Sequence, residues 1–272
     1  MTRRVASMTV AIAALGLISA TQPTAAPMAQ DTTAPAPAAA PSGYLPRGGA
    51  PSSLALVPPP PQPGSAALAR DEEANRAAVR TGPRWEIATL DADLSTPAAV
   101  QAFSCAADVD ISQASTPRLY ALLRRSLIDM GGSTYPTKTK YLRTRPFAAT
   151  GTAMCTPAYD AVLRRDGSYP SGHSAIGWGW GLIIAAAAPE RAEQILARGR
   201  AFGHSRLICN VHWLSDVEEG RVMGAATVAR LQAVPEFRTD LEAARAEILA
   251  ARQAGKRPTR DCAAEAAALA GG

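Results

Sequence analysis

Beyond residue 66 the apolar positions recur at the three- and four-residue intervals of helices, and no run alternates with period two for long enough to make a strand. The pattern predicts helices over 66–80, 97–105, 117–130, 136–144, 157–165, 171–188, 189–207, 212–233 and 235–254, most of them opened by proline at the first helical position. The uncharged stretch 171–189 includes Gly172, Gly177, Gly179 and Gly181 and is short for a membrane span. It reads as a central helix buried by its neighbours, with small residues that let them approach closely. The expected fold is all-α: a single compact helical-bundle domain with short connections.

The polar pattern upstream is different. Arg3 and Arg4 precede an apolar run over 8–18 and then small residues, the layout of a secretory signal peptide covering about 1–26, with cleavage between 20 and 30. That run is too short for a stable anchor, so a periplasmic or secreted protein without a membrane anchor is expected. Residues 27–43 are Ala- and Pro-rich and read as disordered, and composition alone makes 44–64, with its PPPP run, a linker.

Export changes the reading of the four cysteines, Cys105, Cys155, Cys209 and Cys262. Two disulfides are expected, with three connectivities open, and the absence of a CxxC pair argues against a metal site. The net charge of +5 is spread along the chain without a Lys/Arg block, which disfavours a nucleic-acid polymer as partner. The basic excess should matter locally, beside an anionic ligand.

Three clusters carry candidate chemistry. In KTKYLRTRP, Lys138 and Arg145 lie seven residues apart, so on one helix they share a face, with Arg143 and Lys140 turned elsewhere and Pro146 stopping the helix. Two such cations clamp an anion, or form a solvated basic face. In GSYPSGHS, Ser171 caps a helix whose N-terminal amides suit a phosphate, Gly172 lets the backbone come close, and His173 stands at the rim as a proton donor; a plain capped helix is the alternative. In HSRLICNVHWLSD, Asp216 follows His212 by four residues, so a carboxylate one turn away can fix the imidazole tautomer. Arg206 reaches the same side only if the helix breaks near Cys209 and Asn210. His204 has no partner at a useful spacing and reads as a surface or supporting histidine.

In combination these clusters, Lys-x6-Arg-Pro, Pro-Ser-Gly-His and Ser-Arg-x5-His-x3-Asp, resemble the signature shared by bacterial class A nonspecific acid phosphatases, type 2 phosphatidic acid phosphatases and vanadium haloperoxidases. GSYPSGHS is one residue from the class A hallmark, and SLALVPPPP looks like the mature amino terminus of that group. The resemblance makes 44–254 one acid phosphatase domain, proline run included, with 255–272 left as a tail. It implies broad hydrolysis of small-molecule phosphate monoesters at acidic pH through a phosphohistidine, without cofactor or metal, and by analogy with the family leans to a homo-oligomer. The implied roles are His212 as nucleophile, Asp216 orienting it, His173 as general acid and base, and Lys138, Arg145, Ser171, Gly172 and Arg206 as the phosphate shell. Size speaks against a haloperoxidase, the lack of spanning segments against a membrane lipid phosphatase, and the paired His212 and Asp216 beside a separate His173 against a passive phosphate binder.

Overall fold

The computed structural model describes residues 42–270, and the segments read as signal peptide and as most of the Ala/Pro-rich stretch lie outside the described residues. The helices in chain order are α1 (Ser53–Leu56), α2 (Ala66–Ala77), α3 (Gly82–Leu90), α4 (Ala98–Gln101), α5 (Ser104–Ala107), α6 (Pro117–Tyr141) and α7 (Pro146–Thr150). They continue with α8 (Asp160–Leu163), α9 (Gly172–Ala187), α10 (Ala192–Ile208), α11 (Leu214–Leu231), α12 (Pro235–Gln253) and α13 (Cys262–Ala270), and no strand occurs among the described residues.

α9 is the axis of the bundle, with α10, α11 and α6 around it. Its glycines and those facing it explain the close approach. A Cβ on Gly220 of α11 would stand 2.5 Å from the Ser171 carbonyl oxygen, and one on Gly224 would stand 2.4 Å from that of Ala175. From α10, Gly199 sits against the Gly177 carbonyl. Below this seam Trp180, Phe103 and Phe202 pack as a buried aromatic trio, and the Trp180 indole N–H donates to the Leu123 carbonyl at 2.8 Å.

Two expected helices are one. The sequence pattern ends a helix at Met130 and starts another at Pro136, whereas α6 runs unbroken through the proline. A proline removes one amide donor and crowds the preceding turn. Ser53, from α1, supports the helix there: its hydroxyl accepts from the Thr137 N–H at 3.0 Å and donates to the Thr134 carbonyl at 3.3 Å. Thus 44–64, a linker by composition, is built into the domain. The N–H groups of Tyr44 and Leu45 donate to Asp129, and the Tyr44 ring packs edge-on against Phe237 with Arg125 over its face.

The two disulfides are Cys105–Cys262 and Cys155–Cys209, one of the three pairings the sequence left open. The first fastens α13, which lies in the stretch set apart as a tail, against the body of the bundle. The helix α3, which the sequence pattern did not predict, packs on both α10 and α13.

Candidate active site

The site forms where three chain breaks meet. α6 ends at Tyr141 with Leu142 in the left-handed region (φ 44°), and Arg145 follows in extended backbone as the cap of α7. Lys138 and Arg145 therefore do not share a helix face. They converge because the chain turns, and Pro146 opens the next helix rather than stopping this one. The second break is the loop 164–171, where a cis Tyr169–Pro170 bond leads into α9. Ser171 caps that helix, its hydroxyl accepting from the Ser174 N–H at 3.2 Å. The third break falls as expected after Cys209: Asn210 is left-handed (φ 62°), α10 closes just beyond Arg206, and the Val211 and His212 N–H groups both donate to the Arg206 carbonyl.

His212 precedes α11, so its contact with Asp216 is not made along a helix face. Asp216 is the third residue of α11, and its Oδ2 accepts from the Trp213 N–H at 2.9 Å in the manner of a capping box. The same oxygen lies 3.2 Å from His212 Nδ1. Asp216 is fully buried, and its Oδ1 accepts from Arg143 at 2.6 Å. This carboxylate thus places the proton on Nδ1 and leaves the Nε2 lone pair facing outward, 3.1 Å from an Arg145 N–H.

Lys138, Arg145, Gly172, His173, Arg206 and His212 line one cleft of about 440 Å³. Ser171, fully buried as the helix cap with its hydroxyl bonded by Ser174, is not among the lining residues, and Asp216 stands behind His212. Leu94, Leu127, Ile128, Leu163 and Tyr135 form the outer, apolar wall. His204 lies apart, in a separate pocket with Arg84 and Leu214.

The electrostatics of the cleft are those of a cation cluster. Burial pushes the Lys138 ammonium down to about 8, helped by Arg145, and pushes Arg206 down to about 9. The Lys138 ammonium donates to the Gly167 carbonyl at 2.5 Å, and Arg145 donates to Asp166 at 2.7 Å. Arg206 differs: its Nε and one terminal nitrogen are buried without any hydrogen-bond partner. Both histidines are held well below the usual imidazole value. For His212 the causes are burial followed by Arg145, Lys138 and Arg206; for His173 they are burial and then Arg206. His173 Nε2 lies 2.9 Å from the Ala92 carbonyl, which can only accept, so that nitrogen carries the proton and Nδ1 is the free one.

Sequence reasoning missed Arg143 and Asp166. Arg143 is nearly buried and joins Asp216 to Asp71 of α2, to which it donates at 2.7 Å, while Ser215 N–H and hydroxyl also bond Asp71. Asp166 bridges Arg145 and Lys138 from the loop before Gly167. Neither sits at a helical spacing from the residues it serves, so no periodicity pointed to them.

Residues 119–240 match the model of the PAP2 superfamily. Over 208 residues the chain is 41% identical to a non-specific acid phosphatase of Providencia stuartii, covering 75% of this chain and 84% of that protein. It is equally identical over 201 residues to a non-specific acid phosphatase of Salmonella typhimurium, covering 72% of the chain and 80% of the relative. An acid phosphatase of Zymomonas mobilis is 37% identical over 207 residues, covering 75% and 78%. Likeness of this extent, spanning all three breaks that build the cleft, places the chain in the PAP2 superfamily, among its bacterial non-specific acid phosphatases.

Proposed function

We propose that the protein hydrolyses small phosphate monoesters by two in-line displacements at phosphorus, with His212 holding the phosphoryl group between them. The observation that carries this reading is Arg206: a buried guanidinium with two unpartnered nitrogens, in the cleft that Lys138, Arg145 and both histidines line. A buried cation without hydrogen-bond partners is costly, and an anion with several oxygens can pair with Arg206 while also reaching Lys138 and Arg145, which share the single carboxylate of Asp166. A tetrahedral phosphoryl group meets that description.

Lys138, Arg145 and Arg206 neutralise the non-bridging oxygens, and the Ser171 hydroxyl and Gly172 N–H at the mouth of α9 complete the shell. His212 Nε2 attacks phosphorus as the bond to the ester oxygen breaks. Asp216, fixed by Arg143, stabilises the imidazolium that forms. His173 gives a proton to the leaving alcohol, then takes one from the water that attacks the phosphohistidine; phosphate leaves and His212 returns to its starting state. Three cations supply the charge stabilisation, so no metal is required.

The depressed histidines set the pH behaviour. Because His212 stays neutral well below pH 6.5, the nucleophile survives in acid. His173 must be protonated to donate, and its low value means the protonated fraction grows as pH falls. A bound phosphoryl group offsets Arg206 and raises that value, so turnover increases from neutral toward acid pH. The two disulfides suit an oxidising compartment outside the cytoplasm, where such an enzyme would work.

The test is a panel of phosphate monoesters assayed in excess chelator, with and without vanadate. Wild type should turn over undiminished and be inhibited by vanadate, a mimic of the five-coordinate transition state. His212→Ala should lose on the order of 10³-fold or more in kcat/KM. Turnover that disappears with chelator and returns with a divalent metal would overturn the scheme.

A further inference from the structure

A buried ion network behind the cleft connects the C-terminal helix to His173, and its Asp91 also attracts the Arg206 guanidinium. Asp91 caps α3, is 2% exposed, and takes two hydrogen bonds from Arg198 of α10, at 2.5 and 3.1 Å. Ser205 donates to the same carboxylate at 2.7 Å, and Arg84 donates to Ser205 at 3.0 Å. On its other side Arg198 Nε lies 3.4 Å from Glu265 of α13, itself buried and also paired with Arg260. The Cys105–Cys262 bridge begins this helix, three residues before Glu265. The residue after Asp91 is Ala92, whose carbonyl holds His173 Nε2.

The chain of contacts has a direction. His173 needs its ring fixed so that Nδ1 faces the leaving oxygen, and among the described residues the hydrogen bond that fixes it is donated by Nε2–H to a backbone carbonyl in a loop. That loop is held by the adjacent Asp91 side chain, and Asp91 is held by a guanidinium whose second anionic partner is Glu265. Fully desolvated groups hold such geometry well only when each charge is paired. We infer that Asp91, Arg198 and Glu265 are positioning residues for His173, and that the disulfide-tethered helix α13 acts in leaving-group protonation from a distance.

This rests on His173 acting as the general acid, and leaving-group chemistry gives the test. Protonation matters most for an alkyl ester, whose alkoxide is a poor leaving group, and little for p-nitrophenyl phosphate, whose phenolate leaves unaided. The readout is the ratio of kcat/KM for p-nitrophenyl phosphate to that for glycerol 2-phosphate, measured in wild type, Glu265→Gln and the Cys105→Ser/Cys262→Ser double variant. The double variant frees α13 while keeping every charge of the network. In both, the alkyl ester should lose about 10-fold and the aryl ester less than about 2-fold, so the ratio rises. Equal loss on both esters, or an unchanged ratio in variants that keep the wild-type circular dichroism, overturns the inference. Failure of wild type to hydrolyse either ester would instead overturn the underlying phosphatase reading.

Discussion

At the scale of single residues, the cleft holds a buried cation at a cost in stability. Arg206 is 3% exposed and pushed down to about 9, yet remains charged at neutral pH, so the fold bears a desolvation cost of several kcal/mol that the attraction of Asp91 offsets only in part and no hydrogen bond to Nε or one terminal nitrogen relieves. Arg206→Met is therefore expected to raise the melting temperature by a few degrees while lowering kcat/KM about 10²-fold or more. Calorimetry beside a phosphatase assay checks both, and a fall in melting temperature would show that the guanidinium is a structural group. The charged and histidine residues that line the cleft, Asp166 apart, were legible in the sequence because each belongs to a short local motif. Their supports were not. Arg143 lies past a left-handed Leu142, and its partners Asp71 and Asp216 are more than 70 residues away on either side, so only the folded chain brings them together.

Among elements, α9 decides the site, because it carries Ser171, Gly172 and His173 on its first turn and the bundle's closest contacts on its flank. Most helices were legible from period and proline placement, and the break between α10 and α11 was legible because Arg206 and His212 could not otherwise meet. The continuity of α6 through Pro136 was not, since the serine that supports it comes from α1, far back in the chain. Nor was α3, whose short pattern follows directly on that of α2. Packing gives the sharpest prediction at this scale. A methyl on Gly220 would meet backbone oxygen, not a side chain that can move, so Gly220→Ala should push α11 off α9. The expected cost is about 1–3 kcal/mol in denaturant unfolding, with a loss of kcat because His212 and Asp216 ride on the displaced end. A variant with unchanged stability and activity would contradict this view of the seam.

For the molecule as a whole, ligand and proton binding are linked to folding. The buried histidines are neutral in the fold and titrate near 6.5 when exposed, so as pH falls below 6.5 the unfolded chain takes up protons that the folded chain refuses. Stability without phosphate should thus drop progressively from pH 6.5 downward. Inorganic phosphate at about 100 times its dissociation constant should add about 3 kcal/mol, a rise in melting temperature of roughly 5–10 °C. The same titration on Arg206→Met should show little shift, and an equal shift in both proteins would place the anion elsewhere. Whether phosphorus passes through the chain at all is read most directly by rapid alkaline quench of wild-type enzyme turning over p-nitrophenyl phosphate, followed by peptide mass mapping. An acid-labile phosphoryl group on the peptide carrying His212, appearing within the first turnover, is the predicted result; phosphate release at full rate with His212 never modified would contradict it.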